Sequence, residues 1–327
     1  MIFQPFLWLL EAGGRHARIA LPVGVVLAML LPSTGGFFKP AAPYILAILV
    51  ASAVVRLDVG AVLRAAIQPR RLMRNFAISL GLLIAAPISF VFLARLFGFD
   101  EAMLPLITYY ALAPPIATTI WMCVFLGFTA PIAMEIVVLT NLLAPFTGPY
   151  LAEFLLGAAV PLSSFVLCMR LGAILGGGML LAMLAKQFIG VARIQANQRR
   201  LDGVSTIAML AFLVPVFDGI GAVALASPGI GLLCLALATG LNFGTQALIF
   251  VSGRIVWMLK EDGFPEGTRS VAVVAGNRNL GLYFAALPAD PLFALFVAAY
   301  QLPLYLTPMM AGWLADRRSK PHQAPYS

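Results

Sequence analysis

Asn277, Arg278 and Asn279, directly after Gly276, place two carboxamides and a permanent cation inside an apolar stretch running from Val271 to Leu287. A guanidinium in hydrocarbon is expensive. Residues of this kind nearly always face a partner or a water-filled cavity. Irregular backbone at membrane depth survives only where protein or a cavity satisfies it. The chemistry on offer is anion binding, because the planar fork of Arg278 suits a carboxylate. The bland alternative is an arginine that snorkels to an interface, and its place near the middle of the stretch argues against that.

A second group lies upstream. Pro114-Pro115 cannot sit inside one regular helix, and Thr118-Thr119 follows at once. The prolines free carbonyls and create half-helix ends, where a positive N-terminus receives an anion and unwound carbonyls hold a cation. A threonine in such a helix also bonds its own i−4 carbonyl, so these hydroxyls have a structural reading beside the functional one. Glu135 and Asn141 belong to the next apolar segment. Six residues place them roughly 240° apart around a helix, on different faces. Glu135 is read as an interfacial acid, as a partner for Arg278 or as a proton carrier. Arg170 is read as snorkelling or functional, and Asn242, Thr245 and Gln246 as helix–helix hydrogen-bonding groups.

What is missing narrows the chemistry. The two histidines, His16 and His322, lie near the ends, and Cys123, Cys168 and Cys234 are scattered through apolar segments. That pattern gives neither a metal motif nor a disulfide frame. No phosphate-binding glycine loop and no nucleophile motif occurs. No cofactor is expected.

The elements that must position these residues follow from composition. The chain is 61% hydrophobic and 10% charged, with mean hydropathy +0.97. A soluble domain carries about 25% charged residues, so the expectation is a polytopic membrane protein whose first partner is the lipid bilayer. Its net charge of +8 is read as an orientation signal, not as a nucleic-acid surface. The opening residues lack the basic start and cleavage site of a signal peptide. Ten apolar segments are counted, at about 18–33, 41–57, 75–98, 102–126, 130–156, 161–188, 204–225, 228–252, 270–287 and 291–315, near the ~20 residues that a spanning helix needs. With the N-terminus inside, 17 lysines and arginines fall in cytoplasmic loops and only Lys39 and Arg95 outside. Both termini are therefore expected in the cytoplasm. Five spans per half give the halves opposite orientation. Interruptions at corresponding places in the fourth and ninth spans point to a transporter site at the midplane. The expected fold is all-α: one transmembrane domain over residues 1–327, built of two inverted five-helix repeats, about 18–156 and 161–315.

Three stretches resemble the bile acid:sodium symporter family: Arg56-Leu57-Asp58-Val59-Gly60; Ala113 to Thr119 followed by Leu139 to Pro149; and Ala275 to Leu282. The resemblance implies unwound spans 4 and 9 that cross near the centre, and a panel domain moving against a core domain. It also implies a small organic anion as substrate, commonly driven by sodium. At the family's sodium-binding positions this chain has Val274, Arg278 and Leu82, and Thr118-Thr119 stands where the family has a Ser-Asn pair. A hard cation needs several oxygen ligands, which Val and Leu do not supply. The expectation is a secondary transporter in the plasma (inner) membrane that has lost at least one sodium site. Arg278 then binds the anion or replaces the ion; Thr118, Thr119, Asn277 and Asn279 line the cavity; and Pro114, Pro115, Glu135, Asn141 and Gly276 support it. The alternative class is an intramembrane enzyme acting on a lipid.

Overall fold

The computed structural model describes residues 4–57, 68–260 and 267–318. Asp58, Val59 and Gly60 of the expected second-to-third-span link lie outside the described residues. Among the described residues there is helix and connecting turn, with no β-strand. The helices are α1 (Gln4–Ala28), α2 (Ala42–Val54), α3 (Pro69–Leu80), α4 (Ala86–Leu96), α5 (Leu104–Leu112), α6 (Thr119–Phe125), α7 (Ala130–Leu156) and α8 (Ser164–Ile189). After them come α9 (Val191–Ala196), α10 (Gln198–Val216), α11 (Ile220–Ala226), α12 (Pro228–Lys260), α13 (Thr268–Gly276), α14 (Leu280–Ala286) and α15 (Pro291–Arg318).

Four of these are long and apolar enough to cross a membrane: Pro69–Leu96, Ala130–Ala159, Ser164–Ile189 and Pro228–Gly253. A fifth is formed if α10 and α11 count as one bent span. Shorter apolar helices occupy Ile19–Ala28, Lys39–Val54 and Pro291–Thr307. The chain is thus a helical membrane protein, and the exposed Phe, Leu and Ile that cover its outside are what lipid-facing helices present.

Three sequence expectations need correction. The first helix begins at Gln4, far before residue 18, and carries Arg15 and His16 within it. The 204–225 segment is two helices bent by 48°, because Pro215 and the left-handed Gly219 (φ 73°) interrupt the ladder. The third span starts at Pro69 and includes a π-helical turn at Gly81–Ala85 between α3 and α4. The breaks at Pro114-Pro115 and at Gly276 to Asn279 stand where the sequence places them.

The helices sort into two groups. In one, α1 packs on α10, α10 on α2, and α2 on α8. Small residues permit the α1–α10 approach: a Cβ on Gly203 would lie 1.8 Å from the Leu10 carbonyl oxygen, and one on Gly14 would lie 2.4 Å from that of Arg199. Without a strong hydrophobic drive in lipid, such backbone contact is how helices associate. The other group holds α3 to α7, α12, α13 and α15, with α12 packed on both α13 and α15, while α14 packs on α2 and α8 as well as on α15. The helix pair α7–α8 joins the groups in sequence and in space.

Candidate functional site

The two breaks meet. Pro115 and Arg278 form an antiparallel bridge, the Ile116 amide donating to the Asn277 carbonyl (3.0 Å) and the Asn279 amide to the Pro114 carbonyl (2.8 Å). Each unwound segment thereby satisfies backbone groups that its own helix has released, which removes most of the penalty of a break at membrane depth.

Arg278 occupies the centre of this crossing with 0% exposure, the largest fully buried side chain in the molecule's described part. Its Nε donates to the Ala275 carbonyl (2.6 Å) and its Nη1 to the Ala113 carbonyl (3.1 Å). Those carbonyls belong to the C-terminal ends of α13 and α5, where the last turn leaves acceptors unpaired and the helix dipole is negative. The guanidinium therefore caps two helix ends at once. Among the described residues no carboxylate pairs with it. Its Nη2 is buried with no partner.

A shell of hydroxyls and amides fixes the break at Gly276 to Asn279. The Gly276 carbonyl accepts from Asn242 Nδ2 (2.8 Å) and Tyr300 OH (2.9 Å), and Tyr110 OH lies 3.1 Å away. Tyr300 OH also accepts from the Arg278 amide (2.7 Å), and Tyr110 and Tyr300 pack edge to face at 5.6 Å. Gln246 Nε2 holds Asn242 Oδ1 (2.7 Å). Gly276 is needed because α12 passes against it: a Cβ there would stand 2.3 Å from Gln246 Cγ and 2.6 Å from the Asn242 carbonyl oxygen.

The other expected residues divide. Asn277 is fully buried, its amide donating to the Val273 carbonyl (2.8 Å) and its Oδ1 accepting from Asn242 (3.3 Å). Asn141 donates to the freed Pro115 carbonyl (3.1 Å), so it supports the break at Pro114-Pro115. Thr119 is buried and bonds the Ile116 carbonyl (2.7 Å), a structural role. Thr118 and Asn279 do line a cavity. Glu135 is elsewhere. It pairs with Arg71 (Nη2–Oε1 2.6 Å) and accepts from Asn75, and does not neutralise Arg278. Six residues of helix phase, together with α3 packed alongside, turn it away from the crossing.

The cavity has a volume of about 640 Å³ and lies between the two helix groups. Leu46, Leu49, Val50, Met209, Phe212 and Leu304 give it apolar walls. Thr118, Arg278, Asn279 and Gln301 mark its inner end, and Arg15, Arg56 and Asp202 are also in its lining. Sequence reasoning missed Tyr110, Tyr300 and Arg56. Tyrosines in mid-span were a usable signal, since a buried phenol needs a partner. Arg56 reads from the sequence as a loop charge, yet its side chain is only 8% exposed.

Comparison of the chain with protein-family models and with curated proteins gave no match.

Proposed function

We propose that this chain is a secondary-active transporter of a small organic anion, similar to the bile acid:sodium symporter family, in a plasma membrane with both termini cytoplasmic. One observation carries the reading: two interrupted helices from opposite halves of the chain bridge each other beside a cavity that separates two helix groups. Paired broken helices at such a cavity are how alternating-access carriers build a site. In the proposal the ten apolar segments form two inverted five-helix repeats, and the α1, α2, α8 and α10 group rocks against the rest. The cavity's size falls in the range of small-molecule sites, about 300–1,000 Å³. Its lining carries Arg15, Arg56 and Arg278 against Asp202, a balance that favours an anion over a cation.

Arg278 acts as a lock in this mechanism, with two of its donor groups already committed to helix-end carbonyls. In this proposal sodium is not held where the family resemblance would put it. Leu82 and Val274 pack in one apolar cluster with Ile136 and Val137, which offers hydrocarbon where the ion needs oxygen. The proposed carrier therefore holds its crossing together with a covalently attached cation.

The test is uptake into vesicles reconstituted with the purified protein, across labelled organic carboxylates. Saturable uptake that survives replacement of sodium by potassium is expected. Chemical conversion of added lipid without flux would overturn the reading in favour of a membrane enzyme.

A further inference from the structure

Arg56 is a second arginine of the cavity whose side chain is largely covered, and its surroundings differ from those of Arg278. It follows α2 and is 8% exposed; its Nε donates to the Ser52 carbonyl (3.1 Å) and its Nη2 reaches Ser205 Oγ (3.4 Å). Its Nη1 pairs with Asp202 Oδ1 at 2.5 Å, and the guanidinium lies 5.9 Å from the Trp121 ring centre. Asp202 is unlike its partner. It is 46% exposed, sits in the early turns of α10, and has its Cβ near Gly14, next to Arg15. A carboxylate there keeps water if it leaves Arg56. Arg56 is more tightly held, because its Nε and Nη2 have partners on Ser52 and Ser205 and its guanidinium lies over Trp121. The pair thus joins a fixed cation to an anion that can be exchanged.

We propose that Arg56 is the subsite for the acidic group of the transported anion, and that Asp202 is the resident counter-ion which this group displaces. The inference rests on the anion-carrier reading above. No bond is made or broken: one carboxylate replaces another on the same guanidinium, while Ser52 and Ser205 keep it oriented. The apolar walls of Leu46, Leu49, Val50 and Met209 lie in the same cavity and would take the hydrocarbon part, so the ligand class is an amphipathic carboxylate. Arg278, fully buried with two of its donor groups on carbonyls, is left to the crossing.

The experiment measures thermal unfolding of the purified full chain with octanoate, indole-3-acetate or cholate, each beside its uncharged amide. At least one carboxylate should stabilise the wild-type protein while its amide does not. Asp202→Asn should tighten that anion's Kd by roughly three- to tenfold, since removing a competing partner of a partly exposed pair is a small effect. Arg56→Gln should abolish the shift. A gain in affinity cannot come from misfolding, so the Asp202→Asn arm stands even if the Arg56 variant fails to fold. Unchanged or weaker binding by Asp202→Asn, or full binding by Arg56→Gln, would overturn the subsite while leaving an anion carrier in place. If no carboxylate stabilises the wild-type protein beyond its amide, the anion reading and this subsite fall together.

Discussion

Arg278 illustrates how a buried charge can be structural. Its cost in hydrocarbon is offset by two carbonyls and two converging helix C-termini. Removing it orphans both carbonyls, each at about 1–3 kcal/mol. Arg278→Ala should therefore lower thermal stability by several degrees with no ligand present. Arg278→Lys should recover part of that loss, since it keeps the charge without the fork. Equal melting of Arg278→Ala and wild type would refute the lock. Gly276 makes a sharper test because nothing polar is removed. Gly276→Ala must displace α12, whose Asn242 and Gln246 hold the break, and should destabilise by about 1–3 kcal/mol as overpacking does. A wild-type melting temperature for this variant would mean that the helices have room the geometry denies them.

At the scale of elements, the breaks at Pro114-Pro115 and at Gly276 to Asn279 were legible because proline, glycine and carboxamides punctuate a hydrocarbon run visibly. The bend between α10 and α11 was signalled more weakly, by Pro215 and Gly219 within an apolar segment of ordinary length. The early start of α1 was hidden because Arg15 and His16 read as loop, although a helix can carry its charged turns outside the bilayer. The pairing of Glu135 with Arg71 depended on how α3 lies against α7, which hydropathy does not report. Arg170, left open between snorkelling and function, turns out to donate from α8 to the Ala286 carbonyl (2.7 Å) at the end of α14. Lys39 lies 5.1 Å above the Phe284 ring on the same helix. These contacts tie the two helix groups together at the end opposite Arg15. Arg170→Ala should loosen that tie, and hydrogen exchange at Ala286 and Leu287 should quicken severalfold. Unchanged protection there would show that packing alone, such as the Phe212–Phe284 edge contact, holds the seam.

Over the whole molecule, composition led directly to a helical membrane protein, because that signal is a sum over many residues. The site needed contacts that join distant parts of the chain, and only residues with an obvious local cost advertised themselves. The whole-molecule prediction concerns ions. If Arg278 fills the crossing and the Leu82–Val274 region stays apolar, exchanging sodium for potassium at fixed ionic strength should leave both melting temperature and anion uptake unchanged. A sodium-dependent rise in either would show that oxygen ligands for the ion exist elsewhere.

The bridge between the breaks also has a temporal side. Ala113 and the nitrogen that caps it belong to residues 165 positions apart. At ribosomal rates of about 5–20 residues per second, the first break waits roughly 10–30 s for its partner to be made. During that interval the carbonyls of Ala113, Pro114 and the Ile116 amide have only water, lipid headgroups or an insertion chaperone to satisfy them. Biogenesis of this protein thus contains an obligatory half-built stage, and the arginine that completes the crossing also ends the period in which the nascent chain is exposed to quality control.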